Sequence, residues 1–517
     1  MMNPFLPTGR QRWLMVFAAS AALGMIMIDA TGAAVALPSI QRDLKLSHGA
    51  QQWIITIYSL TLGAAIATGG RLSDVYGRKH IFCAGVILFA LGSLITGLAF
   101  NLPMLLMGRT LEGIGNITMA PAAALLATEA FGPNERGRAM GLYSGLGGLA
   151  MVFGPIVCGV LVQVLGWRWA FFVNLPIAVA SLLLLRAAGP VAVSPRSGTF
   201  RPVDSLLLAA AMGPIVLGLQ QSHVWGWTSA LTLGLIGGGA VLLLLFVTQQ
   251  LHASDPLVDI RLLLDRQFSA DGIVLFCAQS ALVGQSAFGA LYLQRVLHFT
   301  PLQSGLAMLF LLTPLMICAP LAGILYDRFG VKVPIVAGLS LATIGLFWES
   351  QALPLMDFKM LFPALVVLGA GMGLCLSQSY TDGTSRVEES HRGRAFGALD
   401  TMRQLGGAMG MAATGTVVAG MERGRFLAIA DAAAPEGHAR SHLETLMEQA
   451  VYGVPEAIRA LVDQWPAVAS ALRLSAARSI GEGYYVGTCM LALALISVLL
   501  LMRSRPGASA GGVKQAL

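Results

Sequence analysis

Charge is what this sequence has least of. Its 517 residues include 33 Lys and Arg and 26 Asp and Glu, so only 11% are charged, against about 25% in a soluble domain. So few charges cannot cover a water-facing surface of this size, which excludes a soluble enzyme, a disordered protein and a nucleic-acid binder. Cysteine is also sparse. The six cysteines sit in apolar runs with no CxxC pair, so neither a disulfide framework nor a thiolate metal site is encoded. None of the eight histidines falls at the centre of an apolar run, which argues against a metal site inside a membrane. A phosphate-binding glycine loop ending in Lys-Ser/Thr is missing too, so nucleotide drive is not expected.

Apolar residues fill the space that charge leaves. They make up 56% of the chain, and mean hydropathy is +0.72. A membrane crossing needs roughly 20 mostly apolar residues. Fourteen runs qualify, near 13–37, 52–69, 81–99, 103–127, 138–163, 168–186, 204–222, 229–249, 268–294, 303–325, 333–349, 359–378, 394–420 and 484–502. The first carries Asp29 and leads straight into the second, unlike a cleaved signal peptide. With the N-terminus inside, the inner segments hold 20 basic residues and the short outer loops 5. That bias orients the chain with both termini in the cytoplasm, and it accounts for the net charge of +7. The long segment 421–483 then lies outside. Its Ser441-His442-Leu443-Glu444 capping box, the stripe Leu443, Leu446, Met447 and Val451, and a second helix start at Pro455 predict a small helical cap.

The chain also repeats itself. Ile40-Gln41-Arg42-Asp43-Leu44 returns as Leu293-Gln294-Arg295-Val296-Leu297, 253 residues on. Gly70-Arg71-Leu72-Ser73-Asp74-Val75-Tyr76-Gly77 returns as Gly323-Ile324-Leu325-Tyr326-Asp327-Arg328-Phe329-Gly330 at the same offset, and Arg136-Gly137-Arg138-Ala139 returns as Arg392-Gly393-Arg394-Ala395 at 256. Three matches in order imply two copies of a six-helix unit, with runs seven and eight inserted between them. The expected division is 1–187 for the first bundle, 188–267 for linkers and inserted helices, and 268–517 for the second bundle with its outer loop. Parallel six-helix halves with a substrate site between them are a transporter plan.

Ionisable groups inside the membrane are costly and mark function by default. Asp29, Arg109, Glu112, Asp400 and Arg403 are the candidates. Asp29 lies nine residues before Pro38, about 13 Å along a helix, and Glu112 has similar depth. Arg109 and Glu112 are i and i+3 on one face, so with Asp29 they could meet in a water-filled cavity of the first half. Asp400 and Arg403 have the same spacing. At the loop after the second run, Gly77 permits a tight turn and Arg78 and Lys79 are expected to face the anionic leaflet. Asp74 contributes little to orientation, so it is expected to reach a helix N-terminus or an Arg across the seam between halves. Asp327 marks the matching place in the second copy.

The loop Gly69 to His80, GGRLSDVYGRKH, resembles the G-x-L-a-D-r-x-G-r-k loop of the major facilitator superfamily, with Val75 in place of the usual basic residue. Fourteen runs resemble its drug:proton antiporter branch. So do Ile28-Asp29-Ala30-Thr31 through Leu37-Pro38, Gln52-Trp53-Ile54 with Tyr58, Arg109-Thr110-Leu111-Glu112-Gly113-Ile114-Gly115, and Gly166-Trp167-Arg168-Trp169. Gly154-Pro155-Ile156-Val157-Cys158-Gly159 resembles the antiporter motif GPxxGG, with Cys158 where Gly is usual; both are small enough for close helix packing. The resemblance implies an all-α membrane protein of major facilitator fold, not an enzyme, that exports small apolar or amphipathic compounds in exchange for protons. Asp29 and Arg109 would couple protons; Glu112 stands where the family usually has Gln and is expected either to neutralise Arg109 or to carry a further proton; Gly70, Asp74, Gly77, Arg78 and Asp327 would form the cytoplasmic gate; Gly154, Pro155 and Gly159 would mark an exporter. No cofactor or metal is implied. The implied setting is a bacterial inner membrane, with lipid, protons, a small-molecule substrate and, as candidate partners, a periplasmic adaptor and an outer-membrane channel. The alternatives are an exporter or importer dedicated to one metabolite, and a membrane-embedded sensor or lipid-modifying enzyme, for which no nucleophile–base constellation speaks.

Overall fold

The structure, a computed structural model, describes residues 9–46, 48–129, 131, 136–189, 199–253, 255–388, 392–433, 443, 445–447 and 455–502. Helices account for the whole architecture among these residues. They are α1 (Gly9–Asp43), α2 (His48–Tyr76), α3 (Arg78–Gly97), α4 (Leu102–Glu129), α5 (Arg136–Leu165), α6 (Trp169–Phe172), α7 (Asn174–Ala187), α8 (Pro202–Trp225) and α9 (Ala230–His252). There follow α10 (Arg266–Arg295), α11 (Pro301–Phe329), α12 (Lys332–Ala352), α13 (Phe358–Ser385), α14 (Arg392–Ala433), α15 (Pro455–Gln464) and α16 (Pro466–Leu501). The short α6 and α7 join through Val173, itself in helical conformation, and act as one crossing, Trp169–Ala187. Each of the fourteen apolar runs thus has its helix. Eleven are apolar enough over 18 or more residues to cross a membrane on composition alone. The other three, α2, α4 and α14, carry buried polar groups, among them Asp74, Arg109, Glu112 and Asp400.

The duplication is visible in backbone and packing. Gly77 (φ 90°) ends α2 and Gly330 (φ 79°) ends α11, both in a region that only glycine adopts freely. One apolar core gathers Met15, Phe89 and Leu185 from α1, α3 and α7. A second gathers Val274, Leu339 and Val498 from α10, α12 and α16. The halves meet where α5 packs on α11 and α2 on α14, and the inserted α8 packs on both α2 and α14, with α9 behind it.

The segment 421–483 is less separate than its sequence suggests. α14 continues to Ala433 and α16 begins at Pro466, and Arg425 of α14 bonds Ser479 Oγ of α16 at 2.9 Å. Leu443, Leu446 and Met447 do pack with Ala430, Leu461 and Val468 in a small core of their own, and α15 starts at Pro455 as expected. The capping box lies outside the described residues, apart from the Leu443 packing, and so does Val451.

The antiporter stretch packs differently from expectation. A Cβ built on Gly159 would meet nothing within 4 Å, so this glycine makes no close helix contact; on Gly32 of α1 a Cβ would lie 2.4 Å from Cys158 Sγ. Close approach of α1 and α5 therefore depends on Gly32 yielding to Cys158. Gly154 is buried in α5, while the Pro155 side chain lies outside the described residues. Gly32→Ala is expected to destabilise the protein by about 1–3 kcal/mol through overpacking, and Cys158→Gly added to it should restore most of the loss. Thermal unfolding of the purified single and double variants checks this; independent, additive effects would refute the pairing.

Candidate functional site

Asp29 of α1 and Arg109 and Glu112 of α4 come together, fully buried. Arg109 Nη1 donates to Asp29 Oδ1 at 2.9 Å and Oδ2 at 2.8 Å, and to Glu112 Oε2 at 2.6 Å. Ser93 of α3 donates to Glu112 Oε1 at 2.8 Å. Asn174, the first residue of α7, donates to Ser93 Oγ at 3.0 Å and to Asp29 Oδ1 at 3.5 Å. The Arg109 guanidinium lies 4.5 Å from the centre of the Tyr58 ring and 5.8 Å from that of Phe171. The grouping is the expected one, but its setting is not. The triad is buried between α1, α3, α4 and α7 and does not line the central cavity. Four helices each supply a polar group to a site shielded from the surface.

That cavity lies between the halves, with a volume of about 370 Å³. The first half lines it with Tyr58, Asn116, Met140 and Tyr143, the second with Gln279, Met372, Tyr380, Phe396, Asp400, Arg403 and Gln404. Asp400 and Arg403 form the expected pair, Nε to Oδ1 at 2.6 Å, and the Tyr380 hydroxyl donates to the same oxygen. The second-half charges thus face the cavity, whereas the first-half charges stand behind Tyr58.

Basic loops define one face of the molecule, and there the halves close on each other. Asp74, near the end of α2, accepts the Gly393 N–H on Oδ1 and the Arg394 N–H on Oδ2, each at 3.1 Å. It thereby caps the start of α14 with negative charge at the positive end of the helix. Gly70 makes this approach feasible: a Cβ there would lie 2.0 Å from the Gly393 carbonyl oxygen. A third element joins them. Asp255, between α9 and α10, pairs with Arg71 of α2 and, at 3.2 Å, with Arg394 of α14, and accepts the Thr199 N–H at 2.8 Å. Arg78 departs from expectation: it is buried at the start of α3 and does not face lipid, because the α2–α3 turn folds it inward. Lys79 donates to the Gly189 carbonyl at 2.8 Å. Asp327, half-buried near the end of α11, makes no hydrogen bond among the described residues, so the two motif copies are not equivalent at this seam.

Other polar groups escape the sequence reading. Glu349 of α12 is buried and accepts from Gln285 Nε2 of α10 at 2.9 Å. Asp382 pairs with Arg386, and Asp271 is buried near it, close to the start of α10. Asp271 and Glu349 lie at the edges of their apolar runs, so a search for charges that included run ends would have found them. Asp255, Tyr143 and Tyr380 carry no such signal, and only the packing of distant helices selects them; Tyr58 stands out in the sequence through the family resemblance alone.

Comparison with known proteins agrees with this architecture. The family profile described as Major Facilitator Superfamily matches residues 19–411. Multidrug resistance protein Stp of Mycobacterium tuberculosis is 31% identical over 417 residues, covering 79% of this chain and 76% of that protein. Puromycin resistance protein pur8 of Streptomyces alboniger is 32% identical over 419 residues, with coverage of 80% and 83%. Tetracenomycin C resistance and export protein of Streptomyces glaucescens is 31% identical over 412 residues, covering 79% and 76%. In fold, the human organic anion transporter MFSD10 superposes with a TM-score of 0.60 at 11% identity, over 95% of this chain and 99% of that one. The proton:xylose symporter XylE gives 0.58 at 14%, over 96% and 97%. Two repeated bundles around a central cavity, the glycine-lined seam and these matches together establish that the chain is a multi-pass membrane protein belonging to the Major Facilitator Superfamily, a family of transporters.

Proposed function

We propose that this chain is a proton-coupled exporter of small apolar or amphipathic compounds, working by alternating access in a bacterial inner membrane with both termini in the cytoplasm. Its moving parts would be 1–187 and 268–517, with 188–267 riding on the seam. Relatives named for multidrug and puromycin resistance and for tetracenomycin C export support the direction. One observation carries the coupling: α2 touches the triad, the cavity and the seam. Tyr58 lies on Arg109 and lines the cavity, and Asp74, on the same helix, holds the start of α14. The 16 residue steps from Tyr58 to Asp74 span about 24 Å of helix.

With both carboxylates ionised, the triad carries a formal charge of −1, and one proton neutralises it. A proton on Asp29 removes the ionic component of the α1–α4 tie and leaves Arg109 to Glu112. Tyr58 shifts with the guanidinium and tilts α2, which draws Asp74 from α14. The magnitudes allow this. One proton moving down 100 mV supplies about 2.3 kcal/mol, and a carboxylate at a helix N-terminus contributes about 0.3–2 kcal/mol. The energy of one proton is therefore of the size needed to offset the Asp74 contact with the start of α14.

Two measurements test the reading. Asp29→Asn should insert normally yet lose nearly all proton-driven transport in inside-out vesicles, with the residual insensitive to a protonophore; wild-type transport in this variant would refute the role of Asp29. Asp74→Ala, in a cysteine-free background, should raise labelling of a cysteine placed on the basic side of the cavity several-fold. Equal labelling in variant and parent would reduce Asp74 to a local turn residue.

A further inference from the structure

The charges that line the central cavity are not presented equally. Among the described residues that line it, Asp400 and Arg403 carry the formal charges. The Asp400 side chain is 5% exposed and its Oδ1 receives both the Arg403 Nε and the Tyr380 hydroxyl. Arg403 is 25% exposed; it gives its Nε to Asp400 and its side chain also bonds Tyr380, which leaves part of its donor set toward the cavity. A guanidinium has five N–H donors in a planar fork, so the accessible charge of the cavity is a donor edge. The carboxylates of the first half are closed off behind Tyr58 and offer no counterweight. Around this edge stand four aromatic rings, Tyr58, Tyr143, Tyr380 and Phe396, with the Gln279 and Gln404 amides.

We propose that the cavity binds planar aromatic compounds carrying a carboxylate, which Arg403 orients, and that it disfavours aromatic cations. The physical basis is the match between the guanidinium fork and a planar two-oxygen acceptor, which lysine cannot reproduce. The rings supply stacking surface without charge. A cation in the same place would meet the exposed guanidinium while the only nearby carboxylate is already engaged. This assignment rests on the reading of the cavity as the transport site.

A matched pair of fluorescent probes tests it: anthracene-9-carboxylate and 9-(aminomethyl)anthracene, titrated against the full chain in lipid nanodiscs at neutral pH. The carboxylate should bind about tenfold more tightly, equivalent to ~1.4 kcal/mol. Arg403→Lys should retain part of that preference. The double variant Arg403→Gln with Asp400→Asn, which keeps the pair neutral and hydrogen-bonded, should abolish it. Equal or tighter binding of the amine, binding of neither probe by the parent, or a preference that survives the double variant would overturn the proposal. Counterflow of the carboxylate in liposomes separates this from the transport reading. Preference without counterflow removes transport and keeps the site; counterflow without preference does the reverse.

Discussion

A guanidinium inside a dry helical bundle must have its charge answered there, and Arg109 is answered twice, by Asp29 and Glu112. Removing one partner from a buried ion pair typically costs about 3–5 kcal/mol, so the three groups cannot change independently. Their helices cannot either. α1, α3, α4 and α7 each hold one end of a hydrogen bond in this cluster, which ties those four helices to one ionic centre. In the proposed cycle, a proton added there changes the net charge of this buried site and shifts the helices that hold it.

The second half is built on the same pattern with different chemistry. Its ion pair Asp400–Arg403 faces the cavity, and one of its buried acids, Glu349, is tied to an amide in place of a cation. In the proposed cycle the asymmetry divides labour: one half holds the proton-linked centre and the other presents charge to substrate. The seam joins them through a contact that depends on position more than on side-chain strength. Two backbone amides at the start of α14 meet one carboxylate, and Gly70 and Gly393 let the backbones approach. Asp255 adds the inserted pair α8–α9 to that contact, giving those helices a mechanical connection to the seam that a simple spacer would lack.

Much of this architecture is legible in the sequence because its signals are local or repeated. Apolar length reports each crossing, and i,i+3 spacing pairs Arg109 with Glu112 and Asp400 with Arg403. The twofold recurrence of short motifs divides the chain before any contact is known. The misfit of an acid in a basic loop points Asp74 to a helix N-terminus or an Arg across the seam, and the packing selects the start of α14. What the sequence hides is decided by rotation of helices about their axes. Depth along α1 brings Asp29 level with α4, but depth does not reveal whether that level is wet or sealed, and the sealing depends on Tyr58 and Phe171 from other helices. The Cys158 departure is intelligible only beside Gly32, about 125 positions earlier. Asp255 sits in a short loop with no periodicity, and only the meeting of Arg71 and Arg394 gives it a partner.

The central claim is that a proton taken up in the first half is exchanged for a substrate held between the halves. Its most direct test uses the purified protein in liposomes enclosing a pH-sensitive dye, with a substrate gradient and no initial pH gradient. Substrate flowing down its gradient should drive protons in the opposite direction, producing a pH change that a protonophore abolishes and that is absent in Asp29→Asn liposomes. Substrate movement at the same rate with no change in internal pH would contradict the account.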